Sequence, residues 1–285
     1  MNSYVVLFFV QLVGEVFPVS SSSHVRLVNK LLAHPLSESM MWGSGVDAVL
    51  HGCMLGVLAL YFWRSWVWIA YAWIKEFLGA LVFYNKRKLI GRIGVRVLRM
   101  ALLLGVVLIL VTAWYFFGLP TLQQYGWFAS DWFLLVGLVC TMSALVSLRF
   151  ISNKAPQLFG LKHAIVLSIV QMVALLPGLS RFATCYVVAR WLGLREHKAL
   201  RIAFFVEVPL IAGAFVVRGL PLLVRGGPIV PGLSLSIFLL VCCIGMAVAL
   251  VGLLLVEYSV KYNYFWLFGL YMLVPISFVW FGLVH

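Results

Sequence analysis

Two short stretches hold nearly all the polar side chains that interrupt long apolar runs. The first reads Gln11, Glu15, Pro18, Ser20, Ser21, Ser22, Ser23, His24, and the second reads Gln171, Pro177, Gly178, Leu179, Ser180, Arg181, Thr184. Gln11 and Glu15 are four apart and share one helix face, and Pro18 ends that helix just ahead of a run of hydroxyls. Chemically, a serine there can attack, His24 or Glu15 can take or give the proton, and free amides at a helix start can receive anionic oxygens. The alternative is structural: the serines cap a helix and His24 sits at an interface near Arg26. In the second stretch Pro177 and Gly178 break a helix and let backbone approach a ligand. Arg181 supplies a permanent cation whose fork matches phosphate. Ser180 and Thr184 are expected to cap the next helix start and offer donors to the same anion. Here the structural alternative is an ion pair of Arg181 with Glu15 or Glu207.

The elements that position these residues lie in lipid. Hydrophobic residues make up 64% of the 285 positions and charged residues 10%, a balance that excludes an ordinary soluble domain. An ionisable side chain at membrane depth costs at least about 2.5 kcal/mol, so Glu15 and Arg181 are expected to face a cavity or each other. Six stretches are long enough to span a bilayer: about 45–63, 97–118, 132–150, 201–219, 233–256 and 263–284. Regions 1–33 and 160–194 are broken midway and are expected to form re-entrant helical hairpins, whose irregular backbone is tolerated only against protein or a wet cavity. Hairpin and three spans, then hairpin and three spans, is an inverted-topology repeat of one membrane domain over 1–285, with halves at about 1–150 and 160–285. The expected fold class is therefore an all-α polytopic membrane protein. Gln11, Pro18 and serines echo Gln171, Pro177 and Ser180 across the halves.

The net charge of +13 comes from basic residues in the breaks between apolar runs. That points to topology, and nucleic acid is not an expected partner, since no basic face with interleaved aromatics exists. Placing 64–96, 149–163, 190–201 and 257–262 in the cytoplasm puts 15 of the 21 lysines and arginines there, the cluster Lys86, Arg87, Lys88, Arg92 and Arg96 foremost. Residues 65–82, with Trp66, Trp68, Trp73, Lys75 and Glu76, fit an in-plane helix on that side. Cys53, Cys140, Cys185, Cys242 and Cys243 lie within apolar stretches and suggest neither a disulfide framework nor zinc. No cleaved signal peptide is expected, because Gln11 and Glu15 interrupt the first apolar run. Glu38, Asp47, Asp131, Glu196 and Glu257 lie near span ends and are read as solvated. His51, followed by Gly52, is read as a packing histidine.

The stretches Gln11 to His24 and Gln171 to Arg181, with the later run from Val208 to Ala214, resemble the bacitracin-resistance undecaprenyl-diphosphate phosphatase family in order and spacing along nearly the whole chain. The resemblance implies a membrane enzyme with two re-entrant hairpins and inverted repeats. Its reaction would be hydrolysis of undecaprenyl diphosphate to the monophosphate, recycling the carrier lipid for cell-wall synthesis and conferring bacitracin resistance. It implies that Ser21 is the nucleophile with Ser20 beside it, and that Glu15 and His24 move protons or position a divalent cation. Arg181 with Ser180 would hold the diphosphate, and Gln11 would orient ligand or metal-bound water. Ser22, Gly178 and Thr184 complete the implied substrate contacts. Magnesium or calcium is the implied cofactor, with Glu15 and Gln11 as its ligands, and a polyprenyl diphosphate is the implied partner. The implied location is the bacterial inner membrane with the pocket open to the outer face, and a homodimer is compatible with it. Ser23 stands where the family has glycine, Phe182 and Ala183 stand where Ser-Gly follows the arginine, and Glu207 replaces a small or apolar residue. Phe182 is expected to narrow the phosphate pocket. A lipid flippase or transporter, or a lipid-binding relative of weak activity, are the competing readings.

Overall fold

The computed structural model describes residues 3–32, 46–64, 105–114, 130–151, 159–224 and 234–284, together with isolated positions between 67 and 121. Every regular element among them is helical. In chain order they are α1 (Ser3–Gly14), α2 (Ser21–Leu31), α3 (Val46–Tyr61), α4 (Asp131–Ser147, continued by a 3-10 turn Leu148–Phe150), α5 (Leu161–Val173) and α6 (Arg181–Trp191). They continue as α7 (Glu196–Ala214, extended by a π-turn Phe215–Gly219), α8 (Leu220–Val224), α9 (Leu235–Lys261), α10 (Leu267–Tyr271) and α11 (Leu273–Val284). A further helical stretch covers 105–113.

Among the described residues three helices, Asp131–Phe150, Glu196–Val224 and Leu235–Lys261, are long and apolar enough to cross a membrane, and they coincide with three of the six expected spans. Their outer faces are apolar too: Val251, Leu254 and Leu255 on α9 are each more than half exposed, which suits contact with acyl chains and not with water. The span expected at 45–63 is a 16-residue helix, about 24 Å long at 1.5 Å per residue. The one expected at 263–284 is broken into α10 and α11. Pro275 has no N–H to return to Tyr271 and its ring crowds that carbonyl, so the helix parts at Met272. Most of 97–118, the in-plane helix at 65–82 and the basic cluster from Lys86 to Arg96 lie outside the described residues.

Each broken region forms a helix, an irregular turn and a second helix. Buried residues on α5 recur at His163, Ala164, Leu167, Ser168 and Gln171, one face of a 3.6-residue helix, and α1 buries Leu7, Phe8, Gln11 and Leu12 likewise. Small residues let the first break pack deeply. Gly245, Ala249 and Gly252 line one side of α9; a side chain at Gly245 would strike Leu12, and one at Gly252 would meet Phe17 at 3.1 Å. The second break is braced by α4 in the same way. Gly178 has φ +87°, open to glycine without strain, and a side chain there would run into the Leu134 carbonyl. Gly137 faces it, with no room for a Cβ beneath the Pro177 carbonyl. Thr141 completes the brace: its hydroxyl donates to the Gly178 carbonyl at 3.2 Å and accepts the Ser180 amide at 3.1 Å.

Candidate active site

Both second helices of the broken pairs begin at the same place. Ser20 is the N-cap of α2 and Ser180 the N-cap of α6, both with extended backbone, so Ser21 and Arg181 are the first helical residues of their elements. They meet at Glu15, which lies in the turn after α1. The Ser21 hydroxyl donates to Glu15 Oε1 at 3.1 Å, and Arg181 Nη2 approaches Glu15 Oε2 at 3.5 Å. Gln11 Nε2 donates to Glu15 Oε1 at 2.8 Å, the contact that their four-residue spacing places on one face. The carboxylate is thus aimed by an amide, paired with a guanidinium and in contact with a hydroxyl, all within one cluster. Its side chain is 4% exposed while that of Arg181 is 20% exposed, so the cation reaches towards open space and the base is sheltered.

That space is a cavity of about 460 Å³. Gln11, Glu15, Ser20, Ser21, Ser22, Ser180 and Arg181 all border it, so most of the residues singled out in sequence converge on one chamber. Arg26, Asp47, His51 and Glu207 border it as well. Glu207 Oε1 is 3.6 Å from Arg181 Nε, so the guanidinium is near two buried carboxylates. His51 Nδ1 is 3.9 Å from Glu15 Oε1 and has no hydrogen-bond partner among the described residues. His51, read as a packing residue, and Asp47, read as solvated, both lie on the chamber wall. A signal for both was present in the sequence: they are four apart, on one face of α3.

Three expected site residues are placed elsewhere. His24 borders a second, apolar cavity of about 720 Å³, with Phe9, Val13, Phe17, Leu267 and Phe268. Its Nδ1 is 2.8 Å from the Ser20 carbonyl, its Nε2 is 3.1 Å from the Tyr271 hydroxyl, and the two rings stack at 5.7 Å. Thr184 turns its hydroxyl back onto its own helix, donating to the Ser180 carbonyl at 2.7 Å, which a mid-helix threonine does when no other acceptor is in reach. Gly178 is spent on the brace against α4 and does not border the chamber. Phe182 borders the chamber but is 2% exposed, stacked on Phe204 at 4.3 Å and edge-on to Phe265. The ring is a core residue, and the room beside Arg181 stays open.

The two breaks differ in how their helix starts are satisfied. The Ser180 hydroxyl accepts the Ala183 amide at 3.2 Å and so caps α6. The Ser20 hydroxyl makes no cap bond; it contacts Ser23 at 2.7 Å and Ser22 at 3.4 Å. First-turn amides of α2 are therefore left to a ligand or solvent, with the positive end of the helix dipole behind them. For a cation, the chamber offers hard oxygen donors. Gln11 Oε1 and Asp47 Oδ1 are buried without a hydrogen-bond partner among the described residues, in the same chamber wall as the Glu15 carboxylate. Among the described residues, no three His, Cys, Asp or Glu side chains converge closely enough to chelate an ion by themselves. The donor set fits an ion shared with an incoming phosphate.

The profile of the bacitracin resistance protein BacA family matches residues 4–276. Undecaprenyl-diphosphatase 1 of Rhodospirillum rubrum is 30% identical over 224 residues, covering 76% of this chain and 73% of the relative. The undecaprenyl-diphosphatase of Acidiphilium cryptum is 31% identical over 226 residues, covering 76% and 75%. That of a Ruegeria species is 30% identical over 218 residues, covering 74% and 73%. The match takes in both broken helix pairs and the chamber between them, and the chain belongs to the bacitracin resistance protein BacA family.

Proposed function

We propose that the chain is a membrane phosphatase that hydrolyses undecaprenyl diphosphate to undecaprenyl phosphate and inorganic phosphate, recycling the carrier lipid for cell-wall synthesis. The observation that carries this reading is the pairing of two cavities. The polar chamber holding Ser21, Glu15 and Arg181 adjoins the apolar one, with Phe17 and Val19 in the wall of both. A ligand that fits this pair has an anionic head and a long apolar tail, which is the chemistry of a polyprenyl diphosphate. A flippase would need the same amphiphile, but a hydroxyl bonded to a sheltered carboxylate beside an arginine suits phosphoryl transfer and adds nothing to translocation.

In the first step Ser21 Oγ attacks the terminal phosphorus while its proton passes to Glu15 Oε1, its hydrogen-bond partner. The bond from that phosphorus to the bridging oxygen breaks, and the polyprenyl monophosphate departs with the proton from Glu15. In the second step Glu15 accepts a proton from water, the water oxygen attacks the phosphoserine, the bond from phosphorus to Ser21 Oγ breaks, and Glu15 passes its proton to Ser21 Oγ as inorganic phosphate leaves. Arg181 and the unclaimed amides of α2 offset charge on the phosphoryl oxygens, where most phosphoryl-transfer catalysis arises. Gln11 keeps Glu15 turned towards Ser21. His24 holds the Ser20 carbonyl and lines the tail cavity, so it positions the nucleophile's turn. A magnesium or calcium ion, held by Glu15, Gln11 and Asp47 together with the substrate, would supply further charge neutralisation at the phosphates. The proposed setting is the bacterial inner membrane with the chamber open to the outer face.

Purified protein should release phosphate from a C55 or C15 diphosphate, lose that activity in Ser21→Ala and Arg181→Ala, and respond to a chelator. Unchanged turnover in both variants would refute the assignment.

A further inference from the structure

The described groups lining the chamber include three acids, Glu15, Asp47 and Glu207, and two arginines, Arg26 and Arg181. This is an unusual balance for a pocket that must take up a multiply charged anion. Glu207 is the acid that no catalytic step uses. It projects from α7, its side chain is 3% exposed, and it faces Arg181 at Nε, on the same side-on edge of the guanidinium whose Nη2 faces Glu15. Neither contact is tight. At 3.6 and 3.5 Å both exceed the 2.7–2.9 Å of a strong charge-assisted hydrogen bond, so the guanidinium is paired loosely and not locked.

We infer that Glu207 is an affinity-setting residue of the phosphate site that competes with phosphate oxygens for the Arg181 guanidinium and so weakens the hold of the chamber on any phosphate anion. A phosphate that binds must draw the fork from a buried carboxylate, and a phosphate that leaves is helped out by that carboxylate's return. The effect falls on substrate head and product alike. It therefore limits product inhibition at the expense of affinity, which is useful where a released phosphate must escape a confined cavity. The alternative, that Glu207 only stabilises the packing of α6 on α7, gives no reason for the residue to border the chamber.

This inference rests on the phosphatase reading, and the test separates the two. Inorganic pyrophosphate and orthophosphate are titrated calorimetrically into the full-length chain in detergent, at fixed magnesium, for the native protein, Glu207→Gln, Glu207→Asp and Arg181→Ala. The expected result is that Glu207→Gln binds both anions about tenfold tighter than the native chain. Glu207→Asp, whose shorter carboxylate withdraws from Arg181, should fall between them, and Arg181→Ala should bind neither. Equal or weaker binding in a Glu207→Gln protein with native melting overturns the inference while leaving the phosphatase reading intact. Should Glu207→Gln not fold, the aspartate variant decides alone: binding no tighter than native counts against the competition. If the native chain bound no pyrophosphate at all, both readings would fall.

Discussion

The two broken helix pairs share a plan and divide the labour. Each ends a helix that carries a buried glutamine, turns through a proline and restarts on a serine N-cap, so Ser21 and Arg181 occupy equivalent places. Beyond the restart the two part ways. At the second break the hydroxyls are committed to the fold: Ser180 caps its helix, Thr141 ties the turn at two points, Thr184 bonds backward, and Gly178 sits flush on α4. The result is a rigid mount for one charge. At the first break the hydroxyls bond to one another and to Glu15, not to the helix start. Ser20 leaves its helix uncapped and Ser21 reaches back to Glu15. Duplicated architecture need not mean duplicated chemistry, because the capping of a helix start decides whether its amides belong to the fold or to a ligand.

That division is open to attack by substitution. The largest losses are expected at the reacting cluster: Ser21→Ala and Glu15→Gln should each lower phosphate release by about a thousandfold or more, the scale of a lost nucleophile or base. A comparable loss in Ser180→Ala would erase the distinction between the breaks. Arg181→Lys should cost roughly a hundredfold, since a point charge replaces a fork while the pocket keeps its sign. Gly178→Ala should act on the fold, not on chemistry, lowering thermal stability by about 2 kcal/mol or more, because the left-handed turn and the Leu134 carbonyl leave no place for a methyl group. A normal melting temperature in that variant would show that the second mount is not rigid. The smallest effect is expected from Thr184→Val, within about threefold in turnover, since its hydroxyl serves only its own helix.

Much of this is legible in the sequence, and the residues say why. Gln11 and Glu15 are bound by local spacing, and Pro18, Pro177 and Gly178 break helices by their covalent structure, so these need no knowledge of the fold. Ser180 and Arg181 obey the same local rules. Asp47 and His51 escape such a reading because which face of α3 turns inward is settled by its packing against α1, α7 and α9, a long-range matter. His24 is drawn into the chemistry by its nearness in sequence to Ser21. Its ring turns instead to Tyr271, a residue 247 positions away that no local pattern links to it. The break in the last span comes from Pro275, a residue whose effect is readable, although the apolar run around it reads as continuous.

The most direct test is a rapid-quench turnover with farnesyl diphosphate followed by peptide mass spectrometry of the Ser20–Ser23 region. A transient phosphate on Ser21 is expected, accumulating further when the second step is slowed. Phosphate on a neighbouring serine, or turnover with no phosphoserine at any time point, would contradict it.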